Sequence, residues 1–175
     1  MLILVRHAMP AFGPDVPPHE WPLSEEGRAA ARRLTARLPP DAHLVASEER
    51  KAWQTLGGGE NVVRDGRFNE VGRVEPQGGD FRRLRRMYVE GVDHAGWEPR
   101  PEVVRRFEEG IAEHLTGAGG RPLLVATHGM AMTVWLTARL ALADPGGFWE
   151  DLRFPDAHLV DMDGGTVRSR RHILI

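Results

Sequence analysis

Two short apolar runs in this 175-residue chain end in the same way. Leu2–Val5 leads into Arg6-His7-Ala8, and Leu123–Ala126 leads into Thr127-His128-Gly129. A third run, His43–Ser47, is followed by Arg50 and Lys51. Imidazole keeps a useful neutral fraction near neutral pH, so a histidine can act as a nucleophile or carry a proton. An arginine beside one histidine and a basic pair after the third run add positive charge. Taken singly, a histidine at a strand end is commonly a hydrogen-bonded structural group, and an arginine is commonly a surface residue. Two histidine-ended runs with Arg6, Arg50 and Lys51 nearby form a rarer combination. It calls for an anion held between them.

Those side chains must be brought together by the elements that carry them. The three runs are rich in Leu and Val and lack the alternation of a half-exposed strand. They read as buried strands of a parallel sheet covered on both faces. In such a sheet, ligands bind beyond the carboxyl ends of the strands, which is where His7, Ser47 and His128 would lie if the strands are parallel neighbours. Helical patterns alternate with the runs. Ser24 is a natural N-cap, with Glu25 and Glu26 at the positive end of the dipole and Ala31, Leu34 and Leu38 on one face. Pro39-Pro40 stops that helix. A second helix starts near Pro101, with Val103, Phe107, Ile111 and Leu115 at four-residue spacing, and ends from Gly117 onwards. A third follows His128 and buries Met132, Trp135, Leu136 and Leu140. Asp80–Val89 carries Phe81, Leu84 and Tyr88 at helical spacing. Ala157–Met162 and Thr166–Ile173 form a hairpin around Asp163-Gly164-Gly165.

The expected architecture is a three-layer α/β/α sandwich around a mostly parallel sheet, with residues 1–175 as a single domain. The proline-rich loop Met9–Pro22 is expected to be mobile. Residues 57–80, glycine-rich and poor in periodic apolar positions, read as an irregular excursion over the site.

Composition narrows the chemistry. The chain is 41% hydrophobic and 27% charged, as in an ordinary globular protein. It has no cysteine, so disulfides, thiolate catalysis and thiolate metal sites are excluded. A formal net charge of −2 gives no overall pull towards nucleic acid or anionic membrane. The basic residue follows the N-terminal apolar run, the wrong order for a secretory signal, and no apolar stretch approaches the roughly 20 residues that span a bilayer. A cytoplasmic location is expected. The eight histidines make no His-x-x-x-His or Glu-x-x-His pair, and Gly57-Gly58-Gly59 lacks the Lys-Ser/Thr of a phosphate-binding loop. Neither a metal nor a cofactor is expected, and the sequence carries no signal for oligomeric state.

An ordered set of landmarks resembles the histidine phosphatase superfamily, also called phosphoglycerate mutase-like. Arg6-His7-Ala8 follows an N-terminal strand. Leu23-Ser24-Glu25-Glu26-Gly27 matches a Leu-Ser/Thr-x-x-Gly helix start. Ser47-Glu48-Glu49-Arg50-Lys51-Ala52-Trp53-Gln54-Thr55 matches Ser-x-x-x-Arg-Ala-x-Gln-Thr, and Phe68-Asn69-Glu70 loosely matches a Leu-x-Glu turn. Thr127-His128-Gly129 closes the series, which runs from residue 2 to about residue 135. The resemblance implies that His7 attacks phosphorus to form a phosphohistidine. Its other ring nitrogen would be tied to a backbone carbonyl. Arg6, His128, the Gly129 N–H and Lys51 or Arg50 would hold the phosphate, and Glu70 would protonate the leaving group. The implied function is metal-independent hydrolysis of a phosphate monoester. The partner would be a small phosphorylated molecule, or else a phosphorylated protein side chain.

The match departs from the family at Lys51, which stands where the second phosphate-binding arginine is usual and cannot form its bidentate fork. Met9 replaces a polar residue, and Gly13 stands near a common asparagine. Two alternatives therefore accompany hydrolysis: a phosphoester-binding domain with little or no catalysis, and a mutase-type phosphotransferase, for which the chain is short. Arg82-Arg83-Leu84-Arg85-Arg86 reads as a solvated helix face paired with Asp80 and Glu90, or as a charged overhang that attracts substrate. The five tryptophans read as core or pocket wall, with Trp21 placed to meet a ligand.

Overall fold

The computed structural model describes residues 1–75 and 78–169. Among them, strands β1 (Leu2–Arg6), β2 (His43–Ala46), β3 (Val63–Arg64), β4 (Leu123–Thr127), β5 (Asp156–Asp161) and β6 (Thr166–Ser169) form one mixed sheet. Its spatial order is β3-β2-β4-β1-β5-β6. The first four in that order run parallel, while β5 is antiparallel to β1 and β6 to β5. The helices are α1 (Glu25–Thr35), α2 (Arg50–Thr55), α3 (Phe81–Val89), α4 (Arg100–Ala118), α5 (Gly129–Leu140) and α6 (Pro145–Asp151).

Successive side chains of a strand point to opposite faces, and both faces are covered here. Leu2 and Leu4 of β1, with Leu123 and Val125 of β4, pack against Val103, Phe107 and Ile111 of α4 and against α5. Ile3, Val5, Leu124 and Ala126 pack on the other side against Leu34 of α1 and Ala52 of α2. All eight strand side chains are essentially solvent-free, and burying each large one contributes about 1.5–3 kcal/mol. This is the expected three-layer sandwich, and its two histidine-ended strands are parallel neighbours.

Local signals place the start of α1, which ends at Thr35, short of the expected Leu38. Ser24 Oγ accepts from Gly27 N at 2.9 Å, a cap worth about 1 kcal/mol. Gly27 is required by close approach, because a Cβ there would meet the Met9 carbonyl oxygen at 2.1 Å. That contact seats α1 against the segment leaving β1.

Three elements lie outside the periodic patterns. β3 is two residues long and α2 six, both too short to show a period, and α6 begins at Pro145 in a glycine-rich stretch. The 57–80 excursion is correspondingly more ordered than its composition implies. It contains β3 and a 3₁₀ turn at Gly66–Phe68, and it is anchored by the buried side chains of Phe68 and Val71. In the proline-rich loop, Pro18–Glu20 forms another 3₁₀ turn, and Trp21 Nε1 donates to Gly13 O and Val16 O. The hairpin forms as β5 and β6, while positions 170–173 of its expected second strand lie outside the described residues. Among the described residues, no helix is long and apolar enough to cross a membrane.

Candidate active site

The β1–β4 register sets Arg6 opposite Thr127, so the next residues, His7 and His128, emerge side by side at the carboxyl edge. The ladder continues one step further through His7 N to Thr127 O at 3.0 Å, and the ring centroids lie 5.1 Å apart. On the other side of β4, Ser47 N donates to Ala126 O at 2.9 Å. Ser47 Oγ then lies 2.8 Å from His128 Nε2. The three strand ends therefore meet at one point.

His7 Nδ1 lies 2.8 Å from Ala8 O. A carbonyl only accepts, so this nitrogen carries the proton and Nε2 keeps its lone pair. The Ala8 peptide is itself held, with its N–H donating to Thr55 Oγ1 at 2.8 Å and that hydroxyl donating to Lys51 O at 2.7 Å. Burial, and then the neighbouring His128, push the His7 pKa well below its usual 6.5. His7 is thus a neutral, oriented imidazole at neutral pH.

Arg6 donates through Nη1 to Leu152 O at 2.6 Å, and its guanidinium carbon sits 3.6 Å from the Phe154 ring centroid. Burial lowers its pKa to about 10 against the opposing charges of Glu70 and Asp156, so it remains a cation. Its Nε is buried and, among the described residues, has no hydrogen-bond partner; the same holds for His128 Nδ1. Gly129 keeps the space beside Arg6 open, since a Cβ there would come within 3.4 Å of Arg6 Nε and 3.2 Å of Trp149 Nε1. Gly129 is the first residue of α5, where N–H groups lack an intrahelical acceptor and favour an anion. Burial holds His128 below its usual pKa, although Glu49 and Glu70 oppose the shift.

Glu70 is carried in by the segment after β3. Thr127 Oγ1 donates to Phe68 O at 2.7 Å, and Arg106 of α4 donates to Arg67 O and Asn69 O at 2.6 and 2.8 Å. Glu70 Oε1 accepts from Val71 N and Ala131 N, both at 3.0 Å. Arg67 pairs with Asp65 and Glu113, and Arg73 pairs with Glu75, so neither neutralises Glu70.

Lys51 lines the cleft and is nearly buried. Its Nζ donates to Pro18 O at 2.7 Å and to Glu49 Oε2 at 2.5 Å, which leaves one N–H of three for a ligand. Arg50, the other possible cation, is exposed and does not line the cleft. It is the first residue of α2, and that turn contributes Glu48, Glu49 and Lys51 to the lining instead.

Glu49 went unnoticed in the sequence because a glutamate at a helix start reads as a favourable first-turn charge. Its Oε1 accepts from Glu70 N at 2.9 Å and lies 3.5 Å from His128 Nε2. Burial alone would raise its pKa, but His128, Lys51 and the Glu70 N–H together hold it at about 2. Phe154 and Arg106 come from distant segments with no pattern of their own, so nothing in the sequence marks them, while Trp149 lines the cleft as pocket wall.

These groups form the inner end of a cleft of about 830 Å³. Its outer part is walled by Phe12, Trp21 and Phe81 and by an Arg73–Glu75–Arg85 cluster, in which Arg85 reaches Glu75 at 2.6 and 2.7 Å. The arginine stretch thus divides. Arg85 faces the cleft, Arg86 pairs with Glu90 and Glu150, and Asp80 caps α3 by accepting from Arg83 N. Among the described residues, no three His, Asp or Glu side chains are grouped so as to hold a metal ion.

The fold and this inner end define an α/β protein with two histidines, Arg6 and Lys51 gathered in a cleft at the carboxyl edge of its sheet. The sequence profile of the histidine phosphatase superfamily (branch 1) matches residues 2–168, and the chain belongs to that family. A mycobacterial glucosyl-3-phosphoglycerate phosphatase is 25% identical, with 90% of this chain and 87% of that chain aligned and a TM-score of 0.63. YhfR of Bacillus stearothermophilus is 21% identical over 96% and 94%, with a TM-score of 0.67. A phosphoserine phosphatase mutant from Entamoeba histolytica, in complex with phosphoserine, is 13% identical over 96% and 93%, with a TM-score of 0.64. No curated protein matches the sequence significantly.

Proposed function

We propose that the chain is a phosphatase that hydrolyses a small phosphate monoester through a phosphohistidine on His7, without a metal. The observation that carries this reading is the His7 Nδ1 contact with Ala8 O at 2.8 Å, which leaves a neutral Nε2 facing an anion site. Nε2 attacks phosphorus in line with the departing alkoxide. Arg6 Nε, His128 Nδ1, the remaining Lys51 N–H and the Gly129 N–H would take the phosphoryl oxygens. Glu70 gives a proton to the alkoxide, then takes one from the water that cleaves the phosphorus–nitrogen bond. Family membership and phosphatases among the structural neighbours support hydrolysis. The test is rapid quench with an aryl phosphate. An acid-labile, base-stable phosphoenzyme is expected in wild type and not in His7→Ala. An adduct that persists in His7→Ala would overturn the nucleophile assignment, and no adduct or turnover across a broad phosphoester panel would favour a binding domain.

A further inference from the structure

The inner cleft holds an anion of its own. Lys51 and Arg6 supply two positive charges, and Glu49 and Glu70 supply two negative ones, while His7 and His128 are buried and held below their usual pKa. The carboxylate of Glu49 has one oxygen 2.5 Å from Lys51 Nζ and the other 3.5 Å from His128 Nε2, and its side chain is 11% exposed. The groups around it come from every wall. Lys51 and Glu48 belong to its own turn, His128 to the β4–α5 junction, and Glu70 and Arg73 to the segment after β3. Arg6 and His7 come from β1, and His19 from the proline-rich loop. A phosphoryl dianion entering this neutral set would leave it two charges negative. A singly charged phosphoryl group would leave it only one.

We infer that Glu49 makes this a site for a phosphoryl group bound with one proton, so that the bound unit carries a single negative charge. The proton can sit on a phosphoryl oxygen, on His128 or on Glu70, which needs one to protonate a leaving group. With the proton on His128, the unpartnered Nδ1–H would face the ligand while Glu49 balances the imidazolium from behind. All three placements have the same proton count. A monoester satisfies the site by bringing or taking up a proton, and a diester satisfies it as it stands. Specificity at the phosphorus end is therefore set by charge as well as shape. The inference rests on the cleft being a phosphoryl site, but not on turnover.

The test is calorimetry with phenylphosphonate, which can lose its second proton, and with its monomethyl ester, which stays a monoanion. Titrations in buffers of different ionisation enthalpy count the protons taken up. At roughly pH 9, where phenylphosphonate is the dianion, wild type should take up about one proton with phenylphosphonate and none with the ester. Affinity for phenylphosphonate should fall about tenfold per pH unit while that for the ester stays level. Glu49→Gln should bind phenylphosphonate without proton uptake and, at that pH, at least about tenfold more tightly than wild type. No uptake in wild type, equal uptake in Glu49→Gln, or binding of neither ligand would overturn the inference. If Glu49→Gln does not fold, the wild-type comparison of the two ligands decides alone, and parallel pH profiles would refute it. Absence of a phosphoenzyme together with Glu49-dependent proton uptake would sink the phosphatase reading and leave this one standing.

Discussion

The two ends of the cleft are built by different means. At the inner end, three of the chemically useful side chains are fixed by backbone: His7 by the Ala8 carbonyl, Arg6 by the Leu152 carbonyl and Glu70 by two N–H groups. At the outer end, Glu75 is shared between Arg73 and Arg85, side chains that are 18–33% exposed and hold one another. Backbone in a packed sheet permits little adjustment, whereas partly exposed ion pairs are individually weak and can re-form around a guest. The contrast suits invariable chemistry within and adaptable recognition without.

Substitutions can break or sharpen that contrast. The largest effect is expected from Glu70→Gln, which keeps the size but removes the transferable proton. Turnover of an alkyl phosphate should fall by about 10²–10⁴-fold with little change in KM. A change in KM alone would move Glu70 from chemistry to binding. Lys51→Ala removes one charge-assisted contact and leaves Glu49 unopposed, so vanadate binding should weaken by roughly 10–100-fold. An unchanged affinity would mean that Lys51 only pins Pro18. Glu75→Gln, at the outer end, should leave kcat for a small aryl phosphate within about twofold while changing KM values across larger esters. A kcat collapse there would erase the distinction between the two ends.

How much of this could be read in advance follows from how each part is encoded. His7, His128 and Ser47 close short continuous apolar runs, so those runs announce them, and the parallel arrangement follows from the runs being apolar on both faces. Gln54 and Thr55 stand in a motif, and their work is scaffolding: Gln54 accepts from Leu23 N and Thr55 from Ala8 N. Glu49 was not legible because its meaning depends on His128, 79 positions away, and on Glu70 from a segment with no period. Arg50 and Lys51 are adjacent in sequence but separate in space, because a helix start turns neighbouring side chains about 100° apart. A six-residue helix gives no pattern to say which one turns inward.

The strand order has one more consequence. β4 and β1, which deliver both histidines, are the central pair of the sheet, flanked by β2 and β5 and remote from either edge. Central strands open only when the whole domain does. The site therefore has no half-assembled form in which the imidazoles part while the sheet survives. Under heat or denaturant, the capacity to hold phosphate should disappear in step with the secondary structure, so ligand binding would count native molecules in a mixed population.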